Sequence, residues 1–167
     1  MTAPNLASLE ASRLSRLRRL DLFNDSPDAV LDGFTRQAIS ATGMPAAALT
    51  LVGADRLLVK SGVGFPAGKQ FARHETFCAQ ALNVQGVFEV EDARLDFRFN
   101  WMPSVATGGA PGLVHYAGAA LRMPGGEAIG MLCVGAPKPG RLGDARRSKL
   151  VAEADAVETS DLVISNA

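Results

Sequence analysis

Apolar residues recur at helical spacing in the N-terminal part of the chain. Five leucines between Leu6 and Leu20 form one stripe of a predicted helix. Arginines at positions 13, 16, 18 and 19 fall in its last turns, where positive charge is favourable. The segment Asn24-Asp25-Ser26-Pro27 supplies a capping residue followed by proline, which predicts that a second helix starts there. Gly43 is expected to end that helix.

The pattern changes to extended apolar runs after Pro45. These runs, bounded by turn residues, predict five strands, at Ala46–Val52, 57–60, Val87–Val90, 114–123 and 129–136. The segment Pro124-Gly125-Gly126 predicts a hairpin between the last two of them. A short helix, a helical turn and two glycine-rich connectors are expected between the strands, at 74–82, 94–99, 62–68 and 104–112.

A closing helix is predicted from Asp144, with Leu150, Ala154 and Val157 on one face. Helices at both ends of a strand-rich middle indicate an α+β fold with one antiparallel sheet of five or six strands. We expect the N- and C-terminal helices to pack on one face of this sheet. The looped middle of the chain would then cover the other face.

Size and charge restrict the class of protein. The chain has 167 residues, of which 47% are apolar, and this suffices for one domain with one core. Its seventeen basic and seventeen acidic residues cancel, so neither nucleic acid nor a membrane surface is an expected partner. The sequence contains no signal-peptide pattern and no run of the ~20 apolar residues that span a membrane, which predicts a cytoplasmic protein.

Four segments resemble the GAF family of small-molecule-sensing and dimerising domains, in the subgroup of bacterial sensor kinases and cyclase regulators. They are Arg73-His74-Glu75-Thr76-Phe77-Cys78-Ala79-Gln80-Ala81-Leu82, Val90-Glu91-Asp92-Ala93-Arg94-Leu95-Asp96-Phe97-Arg98-Phe99, Tyr116-Ala117-Gly118-Ala119-Ala120-Leu121-Arg122 and Gly130-Met131-Leu132-Cys133-Val134. The resemblance implies a GAF architecture, in which short helices and loops roof a pocket on the sheet. We expect a helical N-terminal extension at 1–12, one GAF-like domain at 13–162 with no room for an output domain, and a C-terminal tail at 163–167.

His74 and Cys78 are four residues apart in a predicted helix and therefore share a face. They could form part of a metal site or a His-activated thiolate. Both arrangements lack components, because two ligands do not complete a zinc site and no further Cys or His is near in sequence. The favoured interpretation is that Phe77 and Cys78 pack on the buried side of the helix, at the edge of the pocket roof. Cys133, inside an apolar strand, is likewise interpreted as a packing residue, and no metal is expected.

The known chemistry of GAF domains can be compared with these positions. Bilin-binding members attach their chromophore through a Cys followed by His, whereas Ala79 follows Cys78 and Val134 follows Cys133, so covalent bilin binding is not expected. Cyclic-nucleotide-binding members carry a spaced Asn-Lys-Phe-Asp-Glu pattern that does not occur here in order. Free-methionine sulfoxide reductases use cysteines in loops around the pocket, and here one cysteine lies in a predicted helix and the other in a strand. The resemblance therefore leaves the cofactor unknown.

The middle of the chain offers a second group of candidates. The alternating charges from Asp92 to Arg98 are interpreted first as a solvated, self-paired loop. The functional alternative is a ligand pocket walled by aromatic side chains, with His115 or Arg94 as an oriented polar contact. The complete set of candidate ligand-binding residues is His74, Phe77, Cys78, Asp92, Arg94, Phe99, Trp101, His115 and Tyr116.

The charges of the closing helix oppose the helix dipole. Its basic residues come first, and its acidic residues, Glu153, Asp155, Glu158 and Asp161, come last. We expect this acidic end to meet the basic end of the first helix around Arg13 to Arg19, either within the chain or across a homodimer. The GAF resemblance favours the homodimer, because GAF domains commonly dimerise through their terminal helices.

These expectations combine into one predicted function and two alternatives. The predicted function is a non-enzymatic, small-molecule-sensing or regulatory GAF-type domain in bacterial signal transduction, which acts through its terminal helices on a separate effector protein. The first alternative is a thiol-dependent reductase of the free-methionine sulfoxide reductase type, with Cys78 as the thiol and His74 as its base. The second is a dimerisation module whose pocket is filled by its own side chains.

Overall fold

The computed structural model of the protein describes residues 3, 5–106 and 112–160. In this part of the chain five α-helices and six strands follow one another in the order α1 Leu6–Leu20, α2 Ala29–Thr42, β1 Ala46–Val52, β2 Arg56–Val63, β3 Gln70–Ala72, α3 Phe77–Ala81, β4 Val87–Val90, α4 Pro103–Ala106, β5 His115–Arg122, β6 Ala128–Ala136 and α5 Asp144–Glu158. Two 3₁₀ turns lie at Arg73–Glu75 and Ala93–Leu95.

The six strands form one antiparallel sheet in the order β3-β2-β1-β6-β5-β4. This confirms the predicted α+β fold and the predicted hairpin between β5 and β6. The short edge strand β3 was not predicted, and β2 extends to Val63, beyond the predicted end of the run at Lys60. β3 pairs with β2 only at Arg56, Leu57 and Leu58, and three residues are too few for a periodic signal.

Alternation along the strands divides the interior into two cores. In β1, Leu49 and Leu51 belong to the helix-side core, together with Leu150 of α5. Ala48 and Val52 of the same strand belong to the roof-side core, together with Phe77 and other residues of the middle segment. Because neighbouring strand residues point to opposite faces, β1 is buried on both sides and reads as one continuous apolar run.

The helix boundaries follow local capping chemistry. Gly43 ends α2 in the left-handed conformation, with φ of 68°, as predicted. The predicted start of α2 at Asn24-Asp25-Ser26-Pro27 is wrong, because the Asp28 carboxylate accepts hydrogen bonds from the amides of Val30 and Leu31 and so caps the helix. Asp144 is the first residue of α5 rather than its cap. The 12/13 domain boundary expected from the sequence lies inside the continuous helix α1.

Two of the four arginines of α1 contact the sheet and the turn between β5 and β6. The Arg13 guanidinium is buried and donates to the carbonyl oxygens of Val52, at 2.6 Å, and Gly53, at 3.3 Å. Arg16 pairs with Glu127 at 3.7 Å. At the other end of the fold, the Glu158 carboxylate accepts from the Arg122 amide. These contacts replace the predicted pairing of the two helices within the chain, while Asp161 lies outside the described residues.

Candidate functional site

A cavity of about 90 Å³ lies between the sheet and the roof, which we define as residues 73–82 together with α4. Its walls are mainly apolar side chains of strands β2 and β3, the loop between them, the roof and the residues before β5. The lining residues are Thr50, Leu57, Val59, Phe65, Phe71, Glu75, Thr76, Phe77, Cys78, Met102, Ser104, Leu113, Tyr116 and Cys133. Among the described lining residues Glu75 is the one charged side chain, so the cavity suits an uncharged ligand better than an ion.

Four polar side chains from four separated elements meet at the floor of this cavity. Cys78 Sγ, on α3, lies 3.2 Å from Tyr116 Oη of β5 and accepts a hydrogen bond from Thr50 Oγ1 of β1 at 3.4 Å. The thiol of Cys133, on β6, donates to the Ala48 carbonyl at 3.5 Å and borders the same cavity as Cys78. We call these four residues the floor cluster. Strand pairing brings the cluster together, because β1, β6 and β5 are adjacent in the sheet.

Small residues on both sides of Cys133 make room for the cluster. Ala48 of β1 and Gly118 of β5 are the cross-strand neighbours of Cys133. The Tyr116 hydroxyl lies directly over Gly118, where an added Cβ would be only 2.6 Å from Tyr116 Oη. Gly118 therefore marks a close approach of a side chain to the strand, which is one of the established reasons for glycine inside a sheet.

The floor cluster separates the acidities of its two thiols. Hydrogen bonding by Cys133 lowers the pKa of Cys78, and the hydroxyls of Thr50 and Tyr116 lower it further, against the opposing effect of burial. The same contact with Cys78 raises the pKa of Cys133, and burial raises it further. Burial also holds the pKa of Tyr116 above its ordinary range. Within the cluster, Cys78 is therefore the sulfur that carries negative charge most readily.

The roof is not one continuous helix, and this corrects the predicted positions of His74 and Cys78. Thr76 adopts an extended conformation between the 3₁₀ turn at Arg73–Glu75 and α3, and its hydroxyl accepts from the Ala79 amide as the cap of α3. Cys78 consequently faces the sheet, whereas the His74 side chain is 77% exposed and lies 3.8 Å from Glu75. His74 thus points away from the thiol that it was predicted to accompany.

The roof is also tied to helix α1. The Arg73 guanidinium donates to the carboxylate of Glu10 and to the Gly53 carbonyl, while the Thr76 hydroxyl donates to the Arg73 carbonyl at 2.7 Å. Glu10 is bound in addition by Arg13, whose hydrogen bonds are the largest cause that lowers the pKa of Glu10 to about 2. A chain of polar contacts therefore runs from the cavity edge at Thr76 to the N-terminal helix.

His115 lies on the opposite face of the sheet, which corrects its predicted place in the pocket. Its Nε2 is 2.7 Å from Glu89 Oε2, and both side chains are almost completely buried. The Glu89 carboxylate also accepts from the Leu142 amide at 2.8 Å and from the Arg147 guanidinium of α5 at 2.6 Å. Burial alone raises the pKa of Glu89, but the hydrogen bonds from His115, Leu142 and Arg147 outweigh it and lower the pKa.

The other candidates from the middle segment do not line the cavity. Asp92 and Arg94 form an exposed pair with each other, as in the first interpretation of this loop, and Asp92 caps the 3₁₀ turn through the Arg94 amide. Trp101 is half exposed, and its indole nitrogen donates to the Arg98 carbonyl. Phe99 is buried behind the cavity wall, with its ring centroid 4.7 Å from that of Phe77. Of the nine candidates, Phe77, Cys78 and Tyr116 border the cavity.

Thr50 and Cys133 belong to the site although the sequence does not predict them as site residues. Both were interpreted as parts of apolar strands, and their meeting with Cys78 depends on strand order and register, which no local pattern reveals. Gly118 was the usable signal, because glycine within an apolar strand indicates a close approach. In the described part of the chain, no group of three or more His, Cys, Asp or Glu side chains could hold a metal ion. None of the described helices is both long and apolar enough to cross a membrane.

Comparisons with known proteins relate the chain to signalling proteins. The GAF domain profile matches residues 26–159. Over 134 residues the chain is 34% identical to a protein of Pseudomonas aeruginosa named as a cyclic di-GMP phosphodiesterase; the match covers 80% of this chain and 22% of that protein. The chain thus spans about a fifth of the length of this relative.

Solved structures share the fold at low sequence identity. The GAF domain of an Acinetobacter phosphoenolpyruvate-protein phosphotransferase has a TM-score of 0.64 at 17% identity, covering 92% of this chain and 94% of that one. A type II free methionine-R-sulfoxide reductase from Thermoplasma acidophilum has a TM-score of 0.63 at 12% identity, covering 95% and 96%. At these identities the similarity concerns the fold alone.

Proposed function

Because the chain belongs to the GAF domain family, we propose that it is a sensory domain that binds a small uncharged molecule in the cavity under the roof. The observation that carries this proposal is the cavity itself. Its mainly apolar wall and its cluster of hydrogen-bonding groups at one end have the usual composition of a small-molecule site. Its volume of about 90 Å³ is of the same order as the ~150 Å³ engineered cavity known to bind benzene, so that it suits a single small ring or a short chain.

The contacts of the roof support a route by which binding reaches a separate effector. A ligand under Thr76 and Phe77 would stabilise one position of the roof, and Arg73 links the roof to Glu10 of α1. On the other face of the sheet, Glu89 joins β4 and β5 to Arg147 of α5. Ligand binding would therefore shift the balance between two arrangements of the terminal helices, on which the effector acts.

Exposed residues on helices α1 and α2 support a homodimer as the form that transmits the signal. Leu6 and Leu9 on α1 are 85% and 49% exposed, and Val30 on α2 is 54% exposed. Exposed apolar side chains on two helices of one face are suited to contact a second copy. Sedimentation of the protein at micromolar concentration should therefore give a dimer, and Leu9→Glu should convert it to a monomer. A monomer for the parent protein at both low and moderate salt would reject this part of the proposal.

The effector is proposed from the relative in Pseudomonas aeruginosa. That longer protein is named as a cyclic di-GMP phosphodiesterase, and the part that matches this chain is 22% of its length. We therefore propose an enzyme of cyclic di-GMP turnover as the effector and a regulatory, non-enzymatic role for the matched domain. The composition of the cavity supports this role over reduction of free methionine sulfoxide, since an amino acid carries a carboxylate and no cationic side chain is among the described lining residues.

Phenol is a suitable probe for the cavity, with benzoate as its charged counterpart. At ten times its Kd, a ligand stabilises the native state by about 1.4 kcal/mol, which should raise the Tm of a domain of this size by roughly 3–6 °C. We expect this shift with phenol and none with benzoate.

Two matched variants place the probe within the structure. Val59→Leu adds a methylene group inside the cavity and should abolish the phenol shift, whereas Val134→Leu makes the same change in the helix-side core and should retain it. Equal shifts for phenol in both variants, or equal shifts for phenol and benzoate, would reject the cavity as the binding site.

A further inference from the structure

We propose that Cys78 and Cys133 are a redox-active dithiol, which a peroxide oxidises to an intramolecular disulfide that joins the roof to the sheet across the floor of the cavity. The proposal goes beyond the proposed ligand site, because it concerns the protein's own sulfur atoms and requires no bound ligand. It assigns a chemical role to two cysteines that the favoured interpretation of the sequence treats as packing residues.

The two thiols lie together at the floor of the cavity. Cys78 lies on the roof helix α3 and Cys133 on the central strand β6, yet Tyr116 brings them together, because its hydroxyl contacts Cys78 Sγ at 3.2 Å and lies over Gly118, the cross-strand neighbour of Cys133. Both are free and almost fully buried, at 5% and 1% exposure. Both also border the cavity, so that a molecule as small as hydrogen peroxide can reach them without unfolding of the protein.

The two thiols have different hydrogen-bonding surroundings. Cys78 Sγ receives a hydrogen bond from Thr50 Oγ1 and contacts Tyr116 Oη at 3.2 Å, and hydroxyl groups directed at sulfur favour the thiolate. Cys133 has one thiol proton, with the Ala48 carbonyl as an acceptor at 3.5 Å, and its contact with Cys78 together with burial favours the neutral thiol. Cys78 is therefore the sulfur that attacks the peroxide, and Cys133 stays protonated until Cys78 has become a sulfenic acid.

The reaction balances with one peroxide. Deprotonated Cys78 attacks a peroxide oxygen, the O–O bond breaks, and the departing hydroxide takes up the proton that Cys78 released, giving the first water. Cys78 is now a sulfenic acid. Cys133 then attacks Cys78 Sγ, the S–S bond forms as the S–O bond breaks, and the released hydroxide combines with the Cys133 proton as the second water. Two thiols have been oxidised and one peroxide has been reduced to two waters.

The disulfide would fix the roof. Helix α3 and the cavity edge at Thr76 are connected to α1 through Arg73, so a covalent bond between α3 and β6 limits the movement that ligand binding requires. Oxidation would therefore set the domain in one of its arrangements independently of ligand. The bond is reversible, because a thiol reductant restores both cysteines.

The test is a thiol count and an intact mass for the full chain after exposure of the native protein to hydrogen peroxide. We expect both thiols to disappear together, with a monomeric mass lower by two hydrogen atoms that dithiothreitol restores. Cys133→Ser should instead stop at the sulfenic acid, a gain of one oxygen atom that dimedone captures. Retention of both thiols, a disulfide between two chains, or sulfonic acids in the parent protein would each overturn the proposal.

A rate comparison tests the role of the floor cluster. Thr50→Val removes one donor to Cys78, and the loss of one hydrogen bond to a charged group lowers the thiolate fraction roughly 10–100-fold. A more basic thiolate is also a better nucleophile, and this offsets about half of the logarithm of the loss in thiolate fraction. Oxidation by peroxide should therefore slow roughly 3–10-fold. Thr35→Val is the matched control, because the buried Thr35 hydroxyl hydrogen-bonds Leu31 and Ser61 on the helix side of the sheet, away from both cysteines. It should leave the oxidation rate unchanged. Equal rates in the two variants would contradict the assignment of Cys78 as the attacking sulfur. These measurements need no ligand, so failure of the phenol test leaves them interpretable.

Discussion

Substitution of Glu89 by Gln tests whether the buried carboxylate holds the edge of the sheet to the C-terminal helix. One carboxylate oxygen accepts from Arg147, and the other contacts His115 and accepts from the Leu142 amide. An amide of the same shape has one oxygen, so at least one of these donors would face an NH₂ group instead. A hydrogen bond to a buried charge contributes about 1.5–3 kcal/mol, whereas the contact with the partly exposed Arg147 contributes about 0–1 kcal/mol. We expect a loss of about 2–4 kcal/mol.

Urea unfolding followed by circular dichroism measures this loss at neutral pH. The matched control is Glu91→Gln, because Glu91 is 60% exposed and its partner Arg141 is exposed as well, so the change in stability should stay within about 0.5 kcal/mol. The direction in which the free energy of unfolding changes with pH follows from the lowered pKa of Glu89. Its stabilisation is present above the unfolded pKa of about 4.3 and is lost as pH falls through the folded pKa, so the parent and Glu89→Gln curves should converge in acid. Equal stability of the two Gln variants at pH 7 would refute the reasoning.

Three further predictions concern the roof and the floor of the cavity. Gly118→Ala should destabilise the protein by about 1–3 kcal/mol, because the new Cβ would overlap Tyr116 Oη. At Gly33, in contrast, the nearest atom to an added Cβ is 4.0 Å away, so Gly33→Ala should stabilise the protein by about 0.4–1 kcal/mol in the same unfolding assay. Arg73→Met should cost about 1–2 kcal/mol at pH 7, and this difference should shrink as pH falls from about 4.5 towards the Glu10 pKa of about 2, leaving the contribution of the hydrogen bond to the Gly53 carbonyl. A difference that is undiminished at the lowest pH would show that Arg73 acts without Glu10, and Arg19→Met is the exposed control. Trp101→Ala should leave the phenol shift unchanged, since Trp101 does not line the cavity; loss of the shift would place the site elsewhere.

Elements with strong local signals could be predicted from the sequence. The hairpin at Pro124-Gly125-Gly126 and the end of α2 at Gly43 depend on residues whose backbone preferences are local. The start of α2 could not be located as well, because Ser26 and Asp28 are both competent caps and only the folded structure selects Asp28. The extended Thr76 was missed for a related reason, since a threonine fits both a helix interior and a cap.

The candidate site was predictable only in part. Phe77, Cys78 and Tyr116 were identified because aromatic and thiol side chains stand out in the sequence. His115 was misplaced because it precedes Tyr116 in a strand, and adjacent strand residues point to opposite faces. The floor cluster needed three strands in register, and such long-range pairing leaves no periodic trace in the sequence.

The two-sided burial of β1 has a consequence for how such domains diversify. Leu49 contacts the core that supports the terminal helices, while its neighbour Thr50 borders the cavity. A substitution at one position can therefore change what the domain recognises, while a substitution at the next changes how firmly the helices are held. Related domains could in this way acquire new ligand specificities through substitutions on the roof side of β1, while the residues that hold the terminal helices stay the same.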